Sequence, residues 1–541
     1  MTRIALSMTV SSCLVLAGSA TGQRFQQVYG TPETSEQAVA VDNTSDGGYV
    51  TTGWSRFGGT APADMLVSRY DALGNILWSK RYDVGQDERG YSIRELSDGY
   101  IVAGTIVGGQ APDAEILVSR LDTAGNVVWS RRFAGTAGTD AVNRPNPGVS
   151  IAVIENEAGF VVVGNRFGRP SALIISPDGM SFVARDYEFF NPNSDVEPDL
   201  QVGFTDLVEV GPGSDFAIVG TARSFTPFAP NGQLDVFLMP IDLGLNPLGA
   251  FLFSSLDPMN PDAPHINETG DGIDFDRGRN SLYIAGRTNA GPQGAAGGDA
   301  PHLLTVDPSL PGFITDWQHT FVGFPTGEPL PIAWETGYAA VEYDDESDFI
   351  GVGGLWMNPG GMTAGLLEYD AGGGLRGVRS YGSSDPFGMD TNPVAAGEDV
   401  VKGRDCGWLV AGRNDLSNFA GATGPFVTPP LGEYLVKTND ALNTACFEAD
   451  VPLVRAEVEF RFAELEFNIA DRDEVRDVPL DPIDITPNTD VLCADPECIP
   501  CPCPGDTDGD GDIDATDFIF ILVNYNKIYD EQCNVIGTIG N

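Results

Sequence analysis

Positive charge is scarce in this chain. Thirty Lys and Arg stand against 77 Asp and Glu in 541 residues, a formal net charge of −47 at pH 7. So few cations cannot neutralise a phosphate backbone, which argues against nucleic acid, and the same shortage argues against an anionic membrane surface. Such acidity suits Ca²⁺ binding and life in salty water, where self-repulsion is screened. Histidine is scarcer still: His265, His302 and His319 are the full set. None lies in a recognisable catalytic setting and no Gly-x-Ser-x-Gly elbow occurs, which argues against a serine hydrolase.

Long apolar runs are also missing. Beyond the N-terminus no segment reaches the ~18 apolar residues that a membrane-spanning helix needs, so no transmembrane anchor is expected. Arg3, the short apolar run 4–17 and the small residues Gly18-Ser19-Ala20 read as a cleaved secretory signal over 1–22. The expected location is therefore secreted, outside the cell or at its surface. Cysteine is sparse, with eight in all. Cys13 falls inside the signal. In an exported chain the remainder default to disulfides. Cys406 with Cys446 is the first pairing expected, and Cys503 with Cys533 the second. Cys493, Cys498 and Cys501 stay unassigned. With no histidine beside this cluster and an oxidising compartment, zinc is set aside.

What the chain does have is one recurring phrase. A short apolar run ending in glycine appears as Gly48-Tyr49-Val50-Thr51-Thr52-Gly53, then Gly99-Tyr100-Ile101-Val102-Ala103-Gly104. Five further versions end at Gly164, Gly220, Gly286, Gly353 and Gly412. A second apolar run and a turn follow, clearest in Asp64 to Asp71 with Gly74-Asn75 and in Glu115 to Asp122 with Gly125-Asn126. Asp and Gly-Asn between β-rich runs mark hairpins, because they tolerate positive φ. Nothing between the copies reads as a long amphipathic helix. A repeat of this period predicts an all-β, seven-bladed β-propeller over 23–450. The run Gln23 to Gly30 resembles Trp78 to Asp83, so the N-terminus is expected to complete a blade built mainly from the C-terminal end. Residues 451–502 alternate apolar and charged before turning acidic and Pro-rich. They predict a strand pair followed by an extended spacer.

The sharpest motif lies at 506–517. Asp506, Asp508, Asp510, Asp514 and Asp517 occupy loop positions 1, 3, 5, 9 and 12, Asp512 occupies position 7, and Gly511 permits the central turn. Phe518, Ile521, Leu522 and Tyr525 then share one helical face. This predicts a Ca²⁺ loop and helix that fold with the metal, a module over 503–541.

Two resemblances follow. The repeat is similar to bacterial secreted propeller repeats reading Gly-Gly-Tyr-Val-x-x-Gly, Asp-x-x-Leu-Val-x-x-Asp and Gly-Asn-x-x-Trp, a family that implies a propeller and no single activity. The C-terminal loop, between Cys503 and Cys533, resembles half of a type I dockerin and, more closely, single-loop planctomycete-type dockerin-like tails. Full dockerins carry two loops, and 524–541 holds no second one. The resemblance therefore implies a single-loop, Ca²⁺-dependent anchor whose receptor could be cohesin-like.

Catalysis has no nameable residues. Carboxylates are too common for pairing to identify a glycosidase. The clusters Asp195 to Asp199 and Asp344-Asp345-Glu346 read as solvated loops, and Asp271, Asp274 and Asp276 miss calcium-loop spacing. Trp78 and Trp129 read as core aromatics. The Gly-Asn-x-x-Trp phrase also resembles quinoprotein tryptophan repeats, but the adjacent cysteines of that family are absent. The expectation is a non-catalytic interaction platform binding an envelope or extracellular protein or polysaccharide. The competing reading is a polysaccharide hydrolase or lyase.

Overall fold

The structure is a computed structural model. It describes residues 24–494, apart from 32, 58–60, 108–113, 134–148, 155–156, 167–168, 191–198, 212–214, 227–228, 256–266, 289–299, 308–319, 324–334, 346, 359–360, 383–394, 404–406, 416–430, 440, 445–447, 451–453, 458–459 and 473–474, together with 527–529 and 535–538. Regular structure among the described residues is entirely β, and no helix there is long and apolar enough to cross a membrane.

Each copy of the glycine-ending phrase becomes the second strand of an antiparallel unit. In the first unit, Tyr49–Phe57 lies between Thr34–Asn43 and Ala63–Tyr70, with Ile76–Asp83 outside. Its residues 49–53 are buried on both faces because neighbouring sheets cover both. In the second unit Ile101, Val102 and Ala103 are all fully buried. Apolar clusters fill each gap between consecutive units. Val50, Met65, Val102 and Leu117 pack between the first and second, and Phe25, Tyr49, Leu409 and Leu435 close the gap between last and first. The innermost strands touch one another around a complete circle, Ala395–Lys402 returning to Thr34–Asn43.

The turns follow their sequence signal. Asp71 Oδ1 accepts from the N–H groups of Leu73 and Asn75, and Gly74 takes φ +78°. Asp122, Asp242 and Asn439 repeat the pattern. Leu245 and Leu442 hold the left-handed position where glycine is missing. The N-terminal strand behaves as expected: Phe25–Gly30 pairs antiparallel with Leu431–Lys437 and completes the last unit.

Two expectations are corrected. Seven separate blades were expected; five sheets stand alone, each of five strands, and the third and fourth units share one ten-stranded sheet. The join is made by Phe189–Leu200 and Phe190–Asp199, which continue the ladder from Phe182–Phe190 into Asp199–Glu209.

The second correction concerns 451–502, expected as a strand pair and spacer. The described residues of 448–494 instead run as a belt around the outside of the ring. Glu448–Asp450 pairs with Leu375–Tyr381, Val454–Glu457 with Thr320–Gly323, and Phe460–Glu464 with Phe251–Ser255. Glu466–Arg472 then pairs with Phe182–Phe190, Val475–Asp477 with Val127–Phe133, and Asp481–Ile485 with Ile76–Asp83. Asn488–Ala494 ends the circuit on Phe25–Gly30. The physical reason is that every four-stranded unit leaves an outer edge of unpaired N–H and C=O groups. A period-two segment can satisfy those edges in turn. Leu465 and Leu480 anchor it in the inter-sheet cores. Pro482 is tolerated because its strand is outermost. Lys80, Arg131 and Arg185 meet the exposed belt carboxylates Asp484, Asp477 and Asp471 at 3.6, 2.8 and 3.1 Å.

Candidate functional site

The innermost strands of all the units surround one central cavity of about 580 Å³. Its wall is acidic. Asp42, Asp206, Asp274, Glu342, Glu398 and Asp399 line it, and Arg94 also faces it. These side chains retain partial exposure, but to the cavity, deep inside the ring.

The strands place them by a shared device. A register shift interrupts the innermost strand at Ala38/Ala40, Gly90/Ser92, Phe204/Asp206 and Gly397/Asp399. The extra residue re-aims the side chains that follow it. In these four units the glycine that ends the repeated phrase (Gly53, Gly104, Gly220 and Gly412) sits opposite the bulge. A Cβ on Gly53 would stand 1.9 Å from the Gln37 carbonyl oxygen, and one on Gly104 would stand 2.0 Å from that of Arg89. The most regular letter of the repeat is thus the space that the bulge requires.

Most of these carboxylates hold the neighbouring unit. Asp399 accepts from the Val41 N–H at 2.9 Å, and Asp42 from the Glu95 N–H at 2.8 Å. Asp206 accepts from the Ile273 N–H at 3.0 Å and from the Ser150 hydroxyl at 2.6 Å. Asp274 accepts from the Tyr343 N–H at 2.6 Å. In the second unit the Ser92 hydroxyl takes the same part, accepting from the Ile151 N–H at 3.3 Å.

Enclosure shifts their protonation. Burial pushes Asp399 and Glu398 up to about 7. Burial also raises Asp274 and Glu342, and repulsion between the two adds to the rise in Glu342. Burial disfavours the Arg94 cation, but Asp42, Asp206, Asp399 and Glu342 outweigh it and hold the guanidinium above its ordinary pKa.

Other residues singled out in the sequence are dispersed. Asp271 meets Arg287 at 3.3 Å, Asp276 meets Arg279 at 2.9 Å, and Asp274 turns to the cavity, so these three do not converge. Asp344 lies 3.7 Å from Lys402, and Asp345 is exposed at the cavity wall. His302 is buried with Nε2 2.8 Å from the Thr269 carbonyl, and burial lowers it to about 4. The Trp78 and Trp129 indoles donate to the Thr123 and Pro177 carbonyls of the next unit's turn, at 3.1 and 3.0 Å. Asp506, Asp508, Asp510, Asp512, Asp514 and Asp517, with Cys406, Cys446, Cys503 and Cys533, lie outside the described residues.

Asp274 apart, the charged cavity residues were not singled out in the sequence. Their signal was a charged residue directly after an apolar one in an innermost strand, as in Val41-Asp42, Ile93-Arg94 and Ile273-Asp274.

No protein-family model matches the chain, and no curated protein sequence matches it. Solved structures similar to it include Sqt1 from Chaetomium thermophilum, at 10% identity over 71% of this chain and 97% of that one, with a TM-score of 0.35. The Dos1 propeller is similar at 9% identity over 78% and 97%, TM-score 0.38. A Bombyx mori GH32 β-fructofuranosidase is similar at 10% identity over 84% and 94%, TM-score 0.26.

Proposed function

We propose that this chain is an exported, non-catalytic recognition platform. In this reading a closed ring of seven repeat units is held in place by a Ca²⁺-dependent, dockerin-like C-terminal tether. The observation that carries it is the use made of the cavity carboxylates. Asp42, Asp206, Asp274 and Asp399 accept backbone N–H groups from the adjacent unit. A general acid or base must instead be free to exchange protons with a substrate. These four carboxylates therefore act as fasteners, and binding falls to the outer faces and loops. The partner is an extracellular or envelope protein or polysaccharide, met with the tether engaged.

The tether rests on the spacing of Asp506, Asp508, Asp510, Asp512, Asp514 and Asp517 around Gly511. Calorimetric Ca²⁺ titration of the full chain tests it. The Asp506→Ala/Asp510→Ala variant is expected to lose one equivalent of bound Ca²⁺ relative to the parent. Unchanged stoichiometry would refute the loop.

A further inference from the structure

At the rim between the first and second units, three acidic side chains meet that take no part in the cavity. Asp64 lies at the start of Ala63–Tyr70, Asp83 ends Ile76–Asp83, and Glu88 lies at the start of Asp87–Leu96. One carboxylate oxygen from each lies within 4.8 Å of the other two. Two Ca–O bonds of about 2.4 Å placed end to end span the same distance, so the three oxygens can surround a single ion.

Glu88 supplies a second and independent observation. The residue is fully buried. The Gln86 N–H donates to Oε1 at 3.0 Å, but Oε2 has no hydrogen-bond partner among the described residues. The Val84 N–H lies near the carboxyl without closing that second bond. A buried carboxylate oxygen with nothing to accept from is costly, and a cation is what would relieve it.

The surrounding cations do not fill this place. Arg81 Nε is 2.9 Å from Asp64. Arg56 and Arg89 are engaged by Asp87 at 3.4 and 2.6 Å. Three carboxylates against the one Arg81 leave a formal charge of −2, which matches a dication. The donors are all oxygen, which selects a hard metal over zinc or copper. Mg²⁺ keeps most of its waters and takes one or two carboxylates, whereas Ca²⁺ accepts several.

We propose that Asp64, Asp83 and Glu88 form a Ca²⁺ site that ties the first sheet to the second. Asp83 also pairs with Asp481 of the belt, so the ion fixes the belt at the same point. Without metal the cluster is strained towards protonation. Burial pushes Glu88 up to about 7 and Asp64 to about 6, and the neighbouring carboxylates add to both.

The test uses the full chain carrying Asp506→Ala/Asp510→Ala, which removes the C-terminal loop from the count. Calorimetric titration with CaCl₂ should still show one bound ion, and adding Glu88→Gln should abolish the heat. Melting should reverse sign. In EDTA at pH 8, Glu88→Gln should melt above its parent because repulsion is relieved. In excess Ca²⁺ it should melt below, because the stabilisation by bound ligand is lost. Asp83→Asn should reproduce both effects and serves if Glu88→Gln does not fold. In crystals of the otherwise unsubstituted chain soaked with Tb³⁺, an anomalous peak should lie among the three carboxylates. No Ca²⁺ heat in the loop-deficient parent, heat surviving both substitutions, or no peak at the cluster would each overturn the proposal.

Discussion

Tyrosine hydroxyls supply a repeated fastener between units. Tyr29 donates to the Gly74 carbonyl at 2.5 Å, Tyr82 to that of Gly125 at 2.7 Å, and Tyr187 and Tyr381 to those of Leu245 and Leu442 at 2.8 Å each. Each links the fourth strand of one unit to the turn of the next. Tyr82→Phe keeps the ring and its packing and leaves a buried carbonyl unpaired. It should cost about 1 kcal/mol in a denaturant midpoint measurement. Tyr187→Phe should cost a similar amount, and the two should add because they lie in different inter-sheet cores. The match between Gln23 to Gly30 and Trp78 to Asp83 was legible in the sequence, including the tyrosine. Its acceptor was not, because the turn it reaches is 43 residues away from Tyr82. Local periodicity carries no information about such a partner. The repeated glycine was legible as a letter, but its reason, a collision with the bulge carbonyl across the ladder, appears only once the strands are paired.

At the scale of elements, the belt is the feature the sequence hid. Its period-two alternation was visible and predicts strands, yet pairing partners cannot be read from alternation alone. Pro479, Pro482 and Pro487 looked like a spacer because proline cannot sit in a central strand, and an outermost strand escapes that rule. The belt crosses the units in reverse chain order and gives each an outer strand, down to the N-terminal strand that completes the last. A chain ended after residue 447 loses all of these ladders and exposes the edges of every unit. A chain ended after 494 keeps them. The shorter chain should melt earlier and form larger species in size-exclusion chromatography, while the longer one should match the full chain. Equal behaviour of the two truncations would mean that the belt contributes nothing to stability.

At the scale of the whole molecule, the enclosed carboxylates set the response to pH. Glu398 and Asp399 are lifted to about 7 by burial, from unfolded values near 4. Between those limits the folded state holds protons that the unfolded chain has released. Stability from these groups is therefore present at low pH and falls as pH rises through about 7. Asp46 and Asp348 are shifted the other way. Burial of Asp46 is outweighed by hydrogen bonds from Thr44, Gly48 and Arg69, and the Arg279 hydrogen bond is the leading cause for Asp348. Their contribution is lost only as pH falls below the ordinary carboxylate range. In EDTA the urea midpoint should be highest in mildly acidic buffer and decline towards pH 8. The most direct measurement of the functional reading combines binding and turnover in one sample. The full chain, with and without Ca²⁺, is presented with a panel of extracellular polysaccharides and its products are analysed. Retention of a ligand with no product released is the expected result. Product formation that disappears in an Asp274→Asn/Glu342→Gln variant would contradict the platform and identify the cavity as an active site.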